Sequence, residues 1–222
     1  MTYFSYSTVE TDYLSARDPA LGAVIARIGH IDREVIPNLF TALINSIAGQ
    51  QISGKALATV WARLCDRLGE ITPDSVLAAG EDGLRACGLS GRKAGYMLAA
   101  ARAVQDGTLN IHSLVDKTDT EVIQTLVALP GVGRWTAEML LIFSLQRPDV
   151  LAFDDFGIRK GLCRLYGWDE VTREQFEDCR ARFSPYGTVA SLYLWALAAE
   201  KTEKQLEKHN KKGRRKAVLF FR

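Results

Sequence analysis

The sequence predicts an all-α fold of about ten helices. Apolar residues recur three and four apart along most of the chain, polar cap residues stand in front of those runs, and strand-like alternation is nearly absent. Asp18-Pro19 supplies an N-cap and a first helical residue, and Leu21, Val24, Ile25 and Ile28 follow on one face. Pro37 opens a helix from Asn38 to Ala48 carrying Leu39, Leu43, Ile44 and Ile47. Ser53 caps a long helix with Leu57, Val60, Trp61, Leu64 and Leu68. Thr72-Pro73 and Gly88 punctuate short helices, and Ser90 caps one holding Met97, Leu98, Ala101 and Val104. Thr118 begins a helix through Val122, Ile123 and Leu126, and another runs from Gly133 to about Gln146. Phe156 to Tyr166, Arg173 to Phe183 and Thr188 to about Lys208 complete the set. No repeat of fixed period and no Ser/Gly/Pro-rich linker divides the chain.

Composition narrows the class. The chain has 222 residues, 47% hydrophobic and 24% charged, which excludes a disordered chain, a collagen-like fibre and a disulfide miniprotein. No apolar run reaches bilayer length, and Met1-Thr2-Tyr3-Phe4-Ser5 shows no secretory pattern, so a soluble intracellular protein is expected. The net charge of +2 is unevenly spread. Residues 201–222 hold nine of the 28 Lys/Arg and two of the 26 Asp/Glu, leaving 19 basic and 24 acidic residues in the first 200. The body is therefore not a basic nucleic-acid binder by composition. The tail Lys208-His209-Asn210-Lys211-Lys212-Gly213-Arg214-Arg215-Lys216 has the charge to touch phosphate, and its plainer reading is a solvated chain end. Cys65, Cys87, Cys163 and Cys179 lack the spacing of a zinc or iron–sulfur site, and buried free thiols are expected. His30, His112 and His209 lie far apart and point to no metal site or triad.

Residues 118–160 carry the most information. Leu129-Pro130-Gly131-Val132-Gly133 joins two helices, and two glycines one residue apart let the backbone turn where a Cβ is expected to clash. The amides that follow open a helix and have no internal partners, which makes an anion site suited to a nucleic-acid phosphate. Alone, such a turn is more often a plain helical hairpin. Beyond it, the apolar stretch Val150-Leu151-Ala152-Phe153 delivers Asp154 and Asp155 to the start of another helix. One aspartate is enough to cap that helix. Apolar neighbours predict partial burial of at least one carboxylate, which makes it a candidate for stabilising charge.

These residues resemble a family. Leu129-Pro130-Gly131-Val132-Gly133-Arg134-Trp135-Thr136-Ala137, with Asp155 twenty residues after Trp135, is similar to the helix-hairpin-helix DNA glycosylases, and within them to the 3-methyladenine DNA glycosylase II branch. Ile47-Ala48-Gly49-Gln50-Gln51-Ile52-Ser53, Gly88-Leu89-Ser90-Gly91-Arg92-Lys93-Ala94-Gly95-Tyr96 and Pro185-Tyr186-Gly187-Thr188-Val189-Ala190-Ser191-Leu192-Tyr193-Leu194-Trp195 resemble three further family segments, in the right order and over most of the chain.

The resemblance implies an architecture and a set of roles. Two helical lobes are expected, one from about 1–35 and 160–222 and one from 36–159 with the hairpin at about 118–146, with the active-site cleft between them. Hairpin groups at Gly131, Gly133 and Thr136 are expected to grip the DNA backbone. The carbonyls of Val127, Leu129 and Val132 are the expected holders of a monovalent cation, Na+ or K+. Asp155 matches the catalytic aspartate, which faces the positive charge that develops on the sugar during base release. Trp135 stands where bifunctional relatives carry the lysine that forms a Schiff base, so a monofunctional enzyme without lyase activity is expected. Its indole offers a stacking face to an electron-poor alkylated base. Phe183, Phe156 and Met139 are further pocket candidates, each with core packing as its plain alternative. Gln51 matches the side chain that fills the gap left by the flipped base, with a capping or buried glutamine as its plain alternative.

The expected partner is double-stranded DNA carrying alkylated bases: 3-methyladenine and 7-methylguanine first, with 1-methyladenine, 3-methylcytosine and ethenoadenine in range. No membrane partner, no required cofactor and no iron–sulfur cluster are expected. The protein is expected to act as a monomer, in the cytoplasm and nucleoid of a bacterium or the nucleus of a eukaryote. Two departures stand out: Gly187 replaces an arginine frequent in relatives, and the length leaves no room for an extra N-terminal β-rich domain. A glycosylase for another lesion class and a non-catalytic damaged-DNA module remain the alternatives.

Overall fold

The computed structural model describes residues 2–200, so the basic tail singled out in the sequence lies outside the described residues. Eleven α-helices follow one another: α1 Thr8–Arg17, α2 Pro19–Ile28, α3 Leu39–Gly49, α4 Gly54–Leu68, α5 Pro73–Ala86, α6 Gly91–Gln105, α7 Asp119–Val127, α8 Arg134–Phe143, α9 Phe156–Tyr166, α10 Arg173–Phe183 and α11 Gly187–Ala199. A short 3-10 helix spans Ile111–Asp116. Two dipeptide strands, Thr2–Tyr3 and Glu34–Val35, pair antiparallel with Thr2 opposite Val35.

Local chemistry sets most helix starts. Reciprocal capping boxes open α1 (Ser7 with Glu10), α5 (Thr72 with Ser75), α7 (Thr118 with Glu121) and α10 (Thr172 with Gln175). Asp18, Asn38, Ser53 and Ser90 cap α2, α3, α4 and α6. Gly80, at φ +62, breaks α5 into the short helices expected there.

Four features depart from the sequence reading. Helix α1 was not expected, because it buries only Leu14 and shows no apolar stripe; its capping box was the one local sign. The 3-10 helix and the dipeptide strands are too short for a periodic pattern. Helix α8 stops at Phe143, short of Gln146. Helix α11 ends at Ala199, where Glu200 leaves helical geometry; the rest of the stretch expected to reach about Lys208 lies outside the described residues.

The helices pack in two groups. Helices α3 to α8 contact one another, chiefly α5 with α6, α3 with α8 and α7 with α8. Helices α1, α2, α9, α10 and α11 form the other group, in which α11 lies against α9 and α2. Helix α11 is apolar on all sides, and every residue from Gly187 to Leu194 is buried.

A buried polar knot ties the second group together. Asp18 is 2% exposed. Its Oδ1 accepts from the Leu21 amide at 2.9 Å, and its Oδ2 accepts from the Tyr166 hydroxyl at 2.5 Å and Arg182 Nη1 at 2.6 Å. Burial pushes the Asp18 carboxyl up, but the bonds from Tyr166, Leu21 and Arg182 outweigh it and hold the group below its ordinary value. Asp18→Ala removes a helix cap and leaves the half-buried Arg182 guanidinium and the Tyr166 hydroxyl without their acceptor, so a loss of about 2 kcal/mol is expected by denaturant unfolding. Because the folded carboxyl binds its proton less readily than the unfolded one, its contribution is present at neutral pH and fades as pH falls through about 4. The gap between wild type and Asp18→Ala is expected to narrow over that range.

Candidate active site

The hairpin is built from α7, a six-residue connection over 128–133 and α8. The Leu129 amide donates to the Leu126 carbonyl at 3.1 Å, and the Val132 amide donates to the Leu129 carbonyl at 3.2 Å. Gly131 sits at φ +76, and a Cβ there would run into the Tyr96 ring of α6. Glycine is therefore required twice over at this position. Gly133 corrects the expectation of a clash at both glycines: its backbone is extended and an added Cβ would meet nothing within 4 Å. What Gly133 leaves is open space in front of α8, where no side chain caps the first-turn amides. Thr136, one turn in, is 3% exposed.

Asp155 lies at the other side of Trp135. It is 8% exposed and caps α9 by accepting from the Ile158 amide at 2.8 Å on Oδ1. The same oxygen accepts from Trp195 Nε1 at 2.8 Å. Oδ2 accepts from Trp135 Nε1 at 2.8 Å. The cap and the candidate catalytic residue are thus one residue, while Asp154 is exposed. A carboxylate has about four lone-pair positions. Two donors occupy Oδ1 and one occupies Oδ2, so Oδ2 keeps one position for a ligand or a water.

Trp195 is a site residue that the sequence did not single out. Its ring stacks on Phe143 at 5.5 Å between centroids, and the Arg33 guanidinium lies 4.6 Å from the Phe143 centroid and 5.9 Å from that of Trp195. Its place in an all-apolar helix gives no polar signature to read. Glu138 was also missed. It is 5% exposed, with Oε1 accepting from Arg134 Nε at 2.9 Å and Oε2 without a partner among the described residues. Burial pushes its carboxyl up, Arg134 pulls it back, and the nearby Asp154 charge pushes it further up.

The other expected residues divide. Phe156 is 73% exposed beside Asp155 and free to meet a ligand. Phe183 is 0% exposed and Met139 6%, so both are core side chains; Phe183 presents no surface to a ligand, which overturns its place in the pocket. Gln51 is exposed and does not cap α4, whose cap is Ser53. It lines a cleft of about 440 Å³ together with Arg92, Tyr96, Gly131, Gly133 and Trp135. Gly187 begins α11, and its amide donates to Asp149 Oδ1 at 3.0 Å, so a neighbouring carboxylate supplies the cap that Tyr186 does not. The four cysteines are free thiols, with Cys87 and Cys179 buried.

The chain that carries this hairpin and this aspartate is similar to known proteins. The model of the HhH-GPD superfamily of base excision DNA repair proteins matches residues 44–185. The chain belongs to this superfamily. DNA-3-methyladenine glycosylase 1 of Schizosaccharomyces pombe is 33% identical over 165 residues, which is 70% of this chain and 71% of that protein. A crystal structure of a DNA-3-methyladenine glycosidase from Bacillus halodurans superposes with TM-score 0.76 at 35% identity, covering 90% of this chain and 93% of that one. The S. pombe Mag1 glycosylase in complex with abasic DNA superposes with TM-score 0.77 at 30% identity, covering 84% and 94%.

The two HhH-GPD hairpin glycines are expected to separate in a stability assay. Gly131→Ala should lose about 3 kcal/mol from left-handed strain and the Tyr96 collision, and adding Tyr96→Ala should restore part of it. Gly133→Ala should cost under about 1 kcal/mol. Chemical denaturation of the three variants reads the difference.

Proposed function

We propose that this protein is a monofunctional DNA glycosylase that hydrolyses the bond joining an alkylated base to its deoxyribose. The observation that carries this reading is the Asp155 carboxylate, buried and held by three N–H donors beside the hairpin, with tryptophan rather than lysine at position 135. The names of the similar proteins support alkylated purines as the lesion class, 3-methyladenine and 7-methylguanine first. The reading includes 1-methyladenine, 3-methylcytosine and ethenoadenine as bases to test, and a monomer acting on duplex DNA.

In this reading the open amides at Gly133 and the start of α8, with Gly131 and Thr136, take a backbone phosphate, a contact blind to sequence. The carbonyls of Val127, Leu129 and Val132 would hold a monovalent cation there. Three neutral oxygens suit a singly charged hard cation, which would add positive charge next to the phosphate. The damaged nucleotide leaves the stack, and Gln51, exposed at the mouth of the cleft, fills the gap. Trp135 has one hydrogen-bonding atom and Asp155 uses it, so the indole meets the lesion with its ring face. Phe156 adds a second exposed ring beside the carboxylate.

Bond breaking then asks little of the protein. A nucleotide methylated at a ring nitrogen, as in 3-methyladenine or 7-methylguanine, is already cationic, so its base departs neutral with the bonding electron pair and needs no strong acid; ethenoadenine is uncharged and lacks this advantage. Positive charge grows on the sugar as the bond lengthens, and the fixed Asp155 charge stabilises it. The remaining lone pair on Oδ2 orients a water, whose oxygen bonds to the sugar carbon and whose proton is released. No side-chain amine stands at position 135 to form a Schiff base, so the product is an intact abasic strand.

Free-base release from methylated duplex DNA, scored together with strand nicking, tests this. Asp155→Asn should lower release at least about a thousandfold and leave binding to abasic duplex intact. Trp195→Phe keeps the ring and removes one N–H, so release should fall about tenfold at unchanged affinity. Persisting release in Asp155→Asn overturns the assigned role, nicking overturns the monofunctional reading, and no release from any alkylated substrate overturns the lesion class.

A further inference from the structure

The turn between α3 and α4 is held more firmly than its exposed position requires. Lys93, half-buried in the first turn of α6, donates from Nζ to the Ala48 carbonyl at 2.8 Å and to the Gln50 carbonyl at 2.6 Å. Ala48 lies at the end of α3, where carbonyls run out of helical partners and the helix presents its negative end. Burial lowers the Lys93 ammonium from its ordinary value, so this cation has given up part of its water for those two carbonyls. Short charge-assisted bonds offset that cost.

The same turn is tied from the other side. Gln50 Nε2 donates to the Gly131 carbonyl at 2.8 Å and reaches Thr136 Oγ1 at 3.4 Å. Tyr96, one turn after Lys93 on α6, lies against Gly131. Between these anchors Gln51 stands at φ +56, in the left-handed region, with its side chain exposed. Such a conformation costs a non-glycine residue about 1 kcal/mol and persists only where the surroundings impose it. The bonds of Lys93 and Gln50 are what impose it here.

We propose that Lys93 is a positioning residue: by gripping the end of α3 and the Gln50 carbonyl it fixes Gln51 in its projecting conformation and, through Gln50, joins it to the hairpin. The proposal rests on the reading of Gln51 as the side chain that fills the gap. Under it, the hairpin that takes the phosphate and the side chain that enters the duplex move as one body, so no separate ordering step is needed when the base leaves the stack.

The test uses the full chain and four variants: Lys93→Met, Lys93→Arg, Gln51→Ala and the Lys93→Met/Gln51→Ala double. Affinity is measured for a duplex with a tetrahydrofuran abasic-site analogue and for the undamaged duplex, across a salt series. Hydrogen exchange of the Ile52 amide, which bonds the Gly49 carbonyl at 3.4 Å, reports on the turn itself. Gln51→Ala and Lys93→Met should each lower the preference for abasic over undamaged DNA about tenfold, and the double should lose no more than either. Lys93→Arg should keep most of the preference, and Ile52 exchange should quicken in the two variants that carry Lys93→Met and not in Gln51→Ala.

Equal weakening on both duplexes with a salt slope smaller by about one would make Lys93 a phosphate contact and overturn the proposal. Additive losses in the double would overturn it as well. If Gln51→Ala is silent, the gap-filling reading falls and the proposal with it; if Gln51→Ala is active and Lys93→Met silent, only the proposal falls. Should Lys93→Met fail to fold, Gln50→Ala cuts the opposite tie, and its loss must likewise be non-additive with Gln51→Ala.

Discussion

Three N–H groups from three elements meet on one carboxylate, and that convergence constrains most of what surrounds it. Trp135 comes from the first turn of α8, Trp195 from α11, and the Ile158 amide from the helix that Asp155 itself begins. A carboxylate this far from water is tolerated only when most of its lone pairs are occupied. To occupy them, α8 of the central helix group and α11 of the terminal group must approach the same point. The Phe143 stack behind Trp195 keeps the second indole edge-on to the carboxylate, and the close packing of α11 against α9 sets the depth of the approach. Moving α8 away would leave Oδ2 without its donor, and moving α11 away would strip Oδ1 of one of its two, so the relative placement of the groups and the integrity of the site are one constraint.

The hairpin answers a different demand. Under the proposed function its amides stay unoccupied until a ligand arrives, and among the described residues no side chain caps them. Rigidity then has to come from elsewhere, and it comes from α6 and the α3–α4 turn. Tyr96 fits where Gly131 has no side chain, and Gln50 bonds to the Gly131 carbonyl. The open face is thus stiffened from behind, which lowers the ordering cost of binding. Gly133 stays small although nothing in the chain crowds it. The free space belongs to whatever approaches the amides from outside.

The hairpin and Asp155 were legible because their chemistry is compressed into short contiguous stretches: a glycine turn opening a helix, and an acid after an apolar run. The helices were legible where a cap and an apolar stripe coincide, as at Asp18 and in α2. Helix α1 has the cap without the stripe and escaped notice. Trp195 was not legible, because α11 is apolar on every side and its indole looks like any other core aromatic until Asp155 is seen beneath it. Phe183 failed in the opposite sense. Its place in the family pattern pointed to a pocket, while the fold spends it entirely on packing. The Lys93 and Gln50 ties were invisible for a related reason: their partners are backbone carbonyls, which every sequence supplies everywhere.

Asp155 serves the fold and the site through different atoms. Oδ1 satisfies the helix cap and the Trp195 indole, both within the terminal group. Oδ2 is met only by Trp135, from the hairpin side, and keeps a lone pair in reserve. Asparagine caps a helix as well as aspartate does. The cap therefore asks only for the side-chain shape, whereas the spare position on Oδ2 does nothing that the fold needs. A buried carboxylate with one oxygen position free of structural partners, one residue from an exposed aromatic and bonded to the hairpin's tryptophan, is where the proposed chemistry is expected to reside.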